Sequence, residues 1–129
     1  MMERQIIIPS ESPRPVSYYS HGIRVGAVLY SAGQTSRNVD GELVGIGNAA
    51  QQAKQAFHNL SLVLQESGMG FQDVVRLNVF VRWRADLPVI MKVKDQFFHN
   101  HRPALTIAVV KSLAYREYLL EVEAIARAD

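Results

Sequence analysis

Apolar positions along this chain switch between two spacings. From Asn48 to Ser67 they recur every three or four residues, at Ala49, Ala53, Ala56, Phe57, Leu60, Val63 and Leu64, which predicts one buried face of an α-helix. Asn48 is placed to cap it, Gln51 completes a variant capping box, and Gly68 and Gly70 supply the stop. A second helix is expected to start at Asp86 with Pro88 in its first turn. Its apolar stripe is Leu87, Ile90, Met91, Phe97 and Phe98, and it ends at His99–Pro103. Elsewhere the period is two. Asp73–Arg82 reads as a strand with Val75, Leu77, Val79 and Val81 on one face and Val74, Arg76, Asn78, Phe80 and Arg82 on the other. Further strands are expected at Val16–His21, Ala27–Ala32, Ala104–Val110 and Tyr118–Ala126, with a short apolar run at Ile6–Ile8 before them. Gly22 and Gly26 bracket a turn, the proline-rich piece Pro9–Pro15 reads as a loop, and Asp40-Gly41 marks a turn within the polar stretch 34–47.

The order β-β-β, α, β, α, β-β predicts a two-layer α+β domain, a mixed sheet with two helices on one face. In the last strand Leu120, Val122, Ala124 and Ala126 fill one face, while Leu119 and Ile125 share the other with Glu121 and Glu123. Apolar residues on both faces favour a homo-oligomer in which sheets pack on sheets.

Composition narrows the function. The 129 residues fit one domain, 1–129, able to fold without a staple. With no cysteine, disulfide scaffolds, thiolate metal sites and thiol nucleophiles are excluded. The net charge is +2, from 14 Lys plus Arg against 12 Asp plus Glu, and no basic cluster tracks a phosphate backbone, so nucleic acid is an unlikely partner. No apolar run approaches the length of a membrane span and the start lacks a signal-peptide pattern, so a cytoplasmic protein is expected.

Few residues carry chemistry. Glu121 and Glu123 lie two apart on one strand face, a spacing that more often marks a solvated or salt-bridged strand face than acid/base work or a metal, although Glu121 sits between Leu120 and Val122 in a strand otherwise fit for a core. His99 and His101 sit at a helix end without a third ligand, so no metal is expected. Gly33 ends a strand in Ser31-Ala32-Gly33-Gln34, where open backbone N–H groups could meet an oxygen; a plain turn fits as well. Trp83 between Arg82 and Arg84 could stack on a base or anchor a strand end. There is no phosphate loop, dinucleotide fingerprint or serine elbow.

In their order and spacing, Leu29–Gln34, Ala53–Leu64 with Gly68, Asp73-Val74-Val75 with Val79-Phe80-Val81, Phe97-Phe98, Pro103-Ala104 and Glu121–Ala126 are together specific. From about Tyr18 to Ala126 the chain resembles the Rid (reactive intermediate deaminase) family, also called YjgF-like or endoribonuclease L-PSP. The resemblance implies a chorismate-mutase-like fold, a homotrimer with sheets packed at its centre and ligand clefts between subunits, and cofactor-free hydrolysis of enamines and imines. It implies that Glu121 is the catalytic carboxylate and that Tyr19, Ala32, Gly33, Met91 and Leu105 line the substrate site. Three of these depart from the family pattern. Leu105 stands where an arginine clamps the substrate carboxylate, Ala32 where serine is common, and Met91 where asparagine is common. Leucine makes no charge-assisted fork to a carboxylate, so a less polar cleft and an altered substrate are expected unless Arg24, Arg82 or Arg116 substitutes. Two readings follow: a deaminase of a small nitrogen-containing metabolite, or a non-catalytic trimer that binds a small molecule.

Overall fold

The computed structural model describes residues 3–129. Six strands and two helices follow in the order β1 (Arg4–Ile7), β2 (Gly22–Val25), β3 (Val28–Ser31), α1 (Ala49–Glu66), β4 (Val74–Val81), α2 (Leu87–Phe98), β5 (Ala104–Val109) and β6 (Leu120–Arg127). The strands form one sheet in the order β1-β2-β3-β6-β4-β5. Every pairing is antiparallel except β4 with β5, which are joined through α2. β6, last in sequence, lies at the centre, so the closing segment of the chain ties the two halves together.

The core sits between the sheet and the helices. α1 presents Ala49, Ala53, Ala56, Phe57, Leu60, Val63 and Leu64 to it, all buried, as the spacing predicts. Its N-cap is Asn48, whose side chain accepts the Gln51 N–H at 3.0 Å. Phe57 meets Phe97 and Phe98 of α2 at centroid distances of 5.8 and 6.2 Å. From the sheet come Leu29, Leu77, Val79, Val81, Leu120, Val122, Ala124 and Ala126. α2 begins as expected at Leu87, but the Asp86 side chain caps nothing; a single 3-10 turn, Arg84–Asp86, leads into the helix instead.

Two strand readings need correction. The segment 16–21 is not a strand. β2 starts only at Gly22, and the turn is at Gly26 (φ 59°) and Ala27. The cause is a missing partner: pairing with β3 reaches Gly22↔Ser31, after which Gln34 turns to bridge Val122. Residues 16–20 are left to form a loop. β4 also carries an irregularity between Val74 and Arg76, so Val74 joins the buried face with Leu77 while Val75 is exposed. A bulge of this kind breaks strict alternation at one residue. β6 alternates as its sequence says, with Leu120, Val122, Ala124 and Ala126 buried and Glu121, Glu123 and Ile125 half-buried on the opposite face.

Among the described residues no helix is long and apolar enough to cross a membrane.

Candidate functional site

The strand-end glycine and the carboxylate of β6 meet. An added Cβ at Gly33 would lie 1.8 Å from Glu121 Oε2, 2.7 Å from its Cδ and 2.9 Å from its Cγ. The carboxyl group therefore occupies the space a side chain at position 33 would need, and only glycine leaves it there. The backbone around Gly33 is fixed on both sides: Ala32 N–H donates to the His21 carbonyl at 2.8 Å and Gln34 N–H to the Val122 carbonyl at 2.7 Å. Between these two donors, the Gly33 N–H has no partner among the described residues.

Burial raises the Glu121 carboxyl above its ordinary range, and the neighbouring charge of Glu123 raises it further. Tyr19 is coupled to the same carboxylate. Its phenol is raised by burial first and then by the charges of Tyr118 and Glu121, against a hydrogen bond at the Val16 backbone that lowers it. Glu121 of β6 and Gly33 at the end of β3 thus meet, and Tyr19 of the loop before β2 is near enough to feel the Glu121 charge.

Gly33 and Tyr19 line a cavity of about 270 Å³; Glu121 stands behind Gly33 and does not itself line it. The loop before β2 supplies Tyr19 and His21, the stretch after β3 supplies Gly33, Gln34, Thr35 and Arg37, α1 supplies Asn59, and the loop before β6 supplies Tyr115 and Tyr118. Its walls are held by buried polar side chains. His21 Nε2 lies 2.6 Å from the Pro13 carbonyl and donates to it, leaving Nδ1 to accept from Gln34 Nε2 at 3.3 Å. Asn59, buried on α1, donates to the carbonyls of Thr35 and Arg37 at 2.8 and 2.7 Å. Gln52, about two turns earlier on the same face of α1, accepts from Leu119 N–H and donates to the carbonyls of Gly45 and Glu117, pinning the loops on either side.

Ala32 adjoins the site through its backbone. Met91 does not: it packs at the margin of the core on α2. Leu105 is in register with the buried Leu77, so it lies on the helix side of the sheet, opposite to Glu121, and is 40% exposed. Within one chain neither reaches the cavity. Of the proposed substitute cations, Arg24 is tied to the carbonyls of Gly26, Ser67 and Ala128, and Arg82 stacks on Trp83 at 3.7 Å. Neither they nor Arg116 line the cavity. The two arginines that do, Arg14 and Arg37, were missed, as were Asn59 and Gln52. The latter two carried a signal: both interrupt the apolar stripe of α1 with amides. Among the described residues no three metal-binding side chains cluster, and His101 donates instead to the Val74 carbonyl at 2.6 Å.

The chain matches the family model described as endoribonuclease L-PSP over residues 9–128. It is 34% identical over 125 residues to a 2-iminobutanoate/2-iminopropanoate deaminase of Dermatophagoides farinae, covering 97% of each chain. It is 27% identical to the 3-aminoacrylate deaminase RutC of Acinetobacter baylyi, covering 97% of this chain and 98% of that one. Among solved structures it is similar to yeast Mmf1, with a TM-score of 0.92 and 27% identity over 98% of this chain and all of that one. It is likewise similar to Escherichia coli TdcF with bound serine, with a TM-score of 0.89 and 26% identity over 97% and 99%. The chain belongs to the endoribonuclease L-PSP family, the Rid or YjgF-like proteins, a family that includes imine and enamine deaminases.

Proposed function

We propose that this protein hydrolyses a small imine or enamine to a carbonyl compound and ammonia, and that its substrate is altered because Leu105 replaces the carboxylate-binding arginine. The observation that carries the reading is the seating of the Glu121 carboxyl against Gly33, a residue that with Tyr19 lines an open cavity. A carboxyl raised by burial holds a proton more readily than an ordinary one, which suits it to accept a proton and return it. In the addition step Glu121 takes a proton from water as the water oxygen bonds to the imine carbon. The C=N electron pair moves to nitrogen, and Glu121 passes the water proton to it, giving the neutral carbinolamine. Glu121 then takes the carbinol hydroxyl proton and delivers it to the amine nitrogen as the C=O bond forms and the C–N bond breaks, so ammonia leaves and the carboxylate is restored. An enamine enters the same route after protonation at the carbon β to nitrogen. The unpaired N–H of Gly33 is placed to hold the developing oxygen. Water is the only co-reactant.

The same reading includes a homotrimer. The face of the sheet carrying Glu121 also carries Ile125 and the half-exposed Tyr30, its partner in register, and a second copy packed there covers apolar surface. Leu105 could reach the cleft only from such a neighbour, because its own Glu121 lies across the sheet. Light scattering is expected to report about three times the 14.5 kDa chain mass; a stable 14.5 kDa species at micromolar concentration contradicts it.

The activity is tested by ammonia release from imines generated in place by an amino-acid oxidase acting on a panel of side chains. The expected result is acceleration for some members, with a preference order unlike that of an arginine-bearing relative run in parallel. No acceleration for any member overturns the reading, and an identical preference order overturns the altered substrate.

A further inference from the structure

Arg37 is a half-buried cation without an anion. Among the described residues the ion pairs are Lys94–Asp95 and Arg127–Asp129, and no carboxylate approaches Arg37. The side chain is nonetheless held. Its Nε donates to the Tyr118 hydroxyl at 2.9 Å and its Nη1 to the Gly41 carbonyl at 3.0 Å. The rings of Tyr115 and Tyr118 lie 5.1 and 5.4 Å from its central carbon. Its backbone is fixed by the buried Asn59. Its Nη2 has no partner among the described residues, and the side chain lines the cavity that opens at Gly33 and Tyr19. Arg14 lines it as well, and no acidic residue does. A guanidinium whose position is set by neutral partners, with donors left over at the wall of a positively lined cavity, is matched to a planar oxyanion.

We infer that Arg37 is the substrate-binding cation of this chain: it clamps the carboxylate of a small organic acid whose reacting carbon lies toward Glu121 and Gly33. The inference rests on the deaminase reading for the identity of that acid, but not for the clamp itself. It gives the altered substrate a form. The charge lost at Leu105 is met from a different wall of the cleft, so acids are retained as a class while their orientation and length preference change.

The test is binding rather than turnover. The full chain is titrated with 2-oxobutanoate, the carbonyl product of 2-iminobutanoate hydrolysis, and with its uncharged amide, following the Arg37 Nε–H resonance and the dissociation constant. The expected result is a shift of that resonance by the acid. Arg37→Gln should weaken acid binding by roughly 10- to 100-fold, the range for a charge-assisted contact, and leave the weak amide binding unchanged. Arg37→Lys should recover only part, since it keeps the charge and loses the fork. If Arg37→Gln is unfolded by circular dichroism, the wild-type resonance and the lysine variant decide. An Arg37 resonance unmoved by saturating acid, equal binding of acid and amide, or loss of binding in Arg14→Gln but not at Arg37 overturns the inference. Acid binding at Arg37 without ammonia release from any imine leaves the clamp standing and removes the deaminase reading.

Discussion

Substituting Gly33 by alanine tests the site's central contact, because here backbone and side-chain effects separate. Gly33 is not among the glycines with positive φ, so alanine strains no backbone dihedral. The nearest clash is with Glu121: all three nearest atoms to the new Cβ belong to that side chain, the closest at 1.8 Å. Ordinary contact lies near ~3.5 Å, so the carboxyl has to move by about 1.7 Å. Overpacking of this kind costs about 1–3 kcal/mol. For 129 residues the unfolding entropy is about 0.27 kcal/mol/K, so Tm should fall by roughly 4–11 °C. Truncating Glu121 to alanine removes all three of these atoms. In that background Gly33→Ala should be neutral, or stabilising by ~0.4–1 kcal/mol through the less flexible unfolded chain. The double-mutant cycle, measured by urea denaturation, is therefore expected to show mutual relief of about 1–3 kcal/mol. Additivity within ~0.5 kcal/mol would refute the seating of Glu121 on Gly33.

Three further outcomes follow. Glu121→Gln should gain stability on the wild type as pH rises. A carboxyl raised in the folded state binds protons more tightly there, so native stability declines from the ordinary 4.5 upward and the full penalty stands above the folded value; urea midpoints at about pH 4 and about pH 8 check that the variant's advantage appears only at the higher pH. Asn59→Ala should cost about 2–4 kcal/mol, because it strands the Thr35 and Arg37 carbonyls, and limited proteolysis should find its first new cut in the stretch 34–47. Phe57→Ala, at the fully buried contact between the helices, should cost about 3–5 kcal/mol by the same denaturation assay.

The helices and the central strand were legible because each carries its own signal. α1 has both periodicity and a cap in Asn48, and β6 alternates without interruption. The segment 16–21 misled because β-favouring aromatics say nothing about whether a partner strand continues beside them. The bulge at Val75 shifts the register by a residue that no local pattern marks. Of the site, Glu121 and Gly33 could be singled out separately, as a carboxylate in an apolar strand and a glycine at a strand end. Their contact depends on β3 and β6 being neighbours, a long-range fact. Arg37 lay in a polar loop where arginine is unremarkable; only the amides of Gln52 and Asn59 on the apolar face of α1 hinted that the loop is anchored.

The account stands or falls on Glu121 as the proton carrier. The most direct measurement is the initial rate of ammonia release from 2-iminobutanoate by the wild type and by Glu121→Gln, with both first shown to share the same circular dichroism spectrum and the same light-scattering mass. The account predicts acceleration by the wild type and a drop in the variant of about 100-fold or more, the lower end for a lost general acid/base. A variant as fast as the wild type would contradict it.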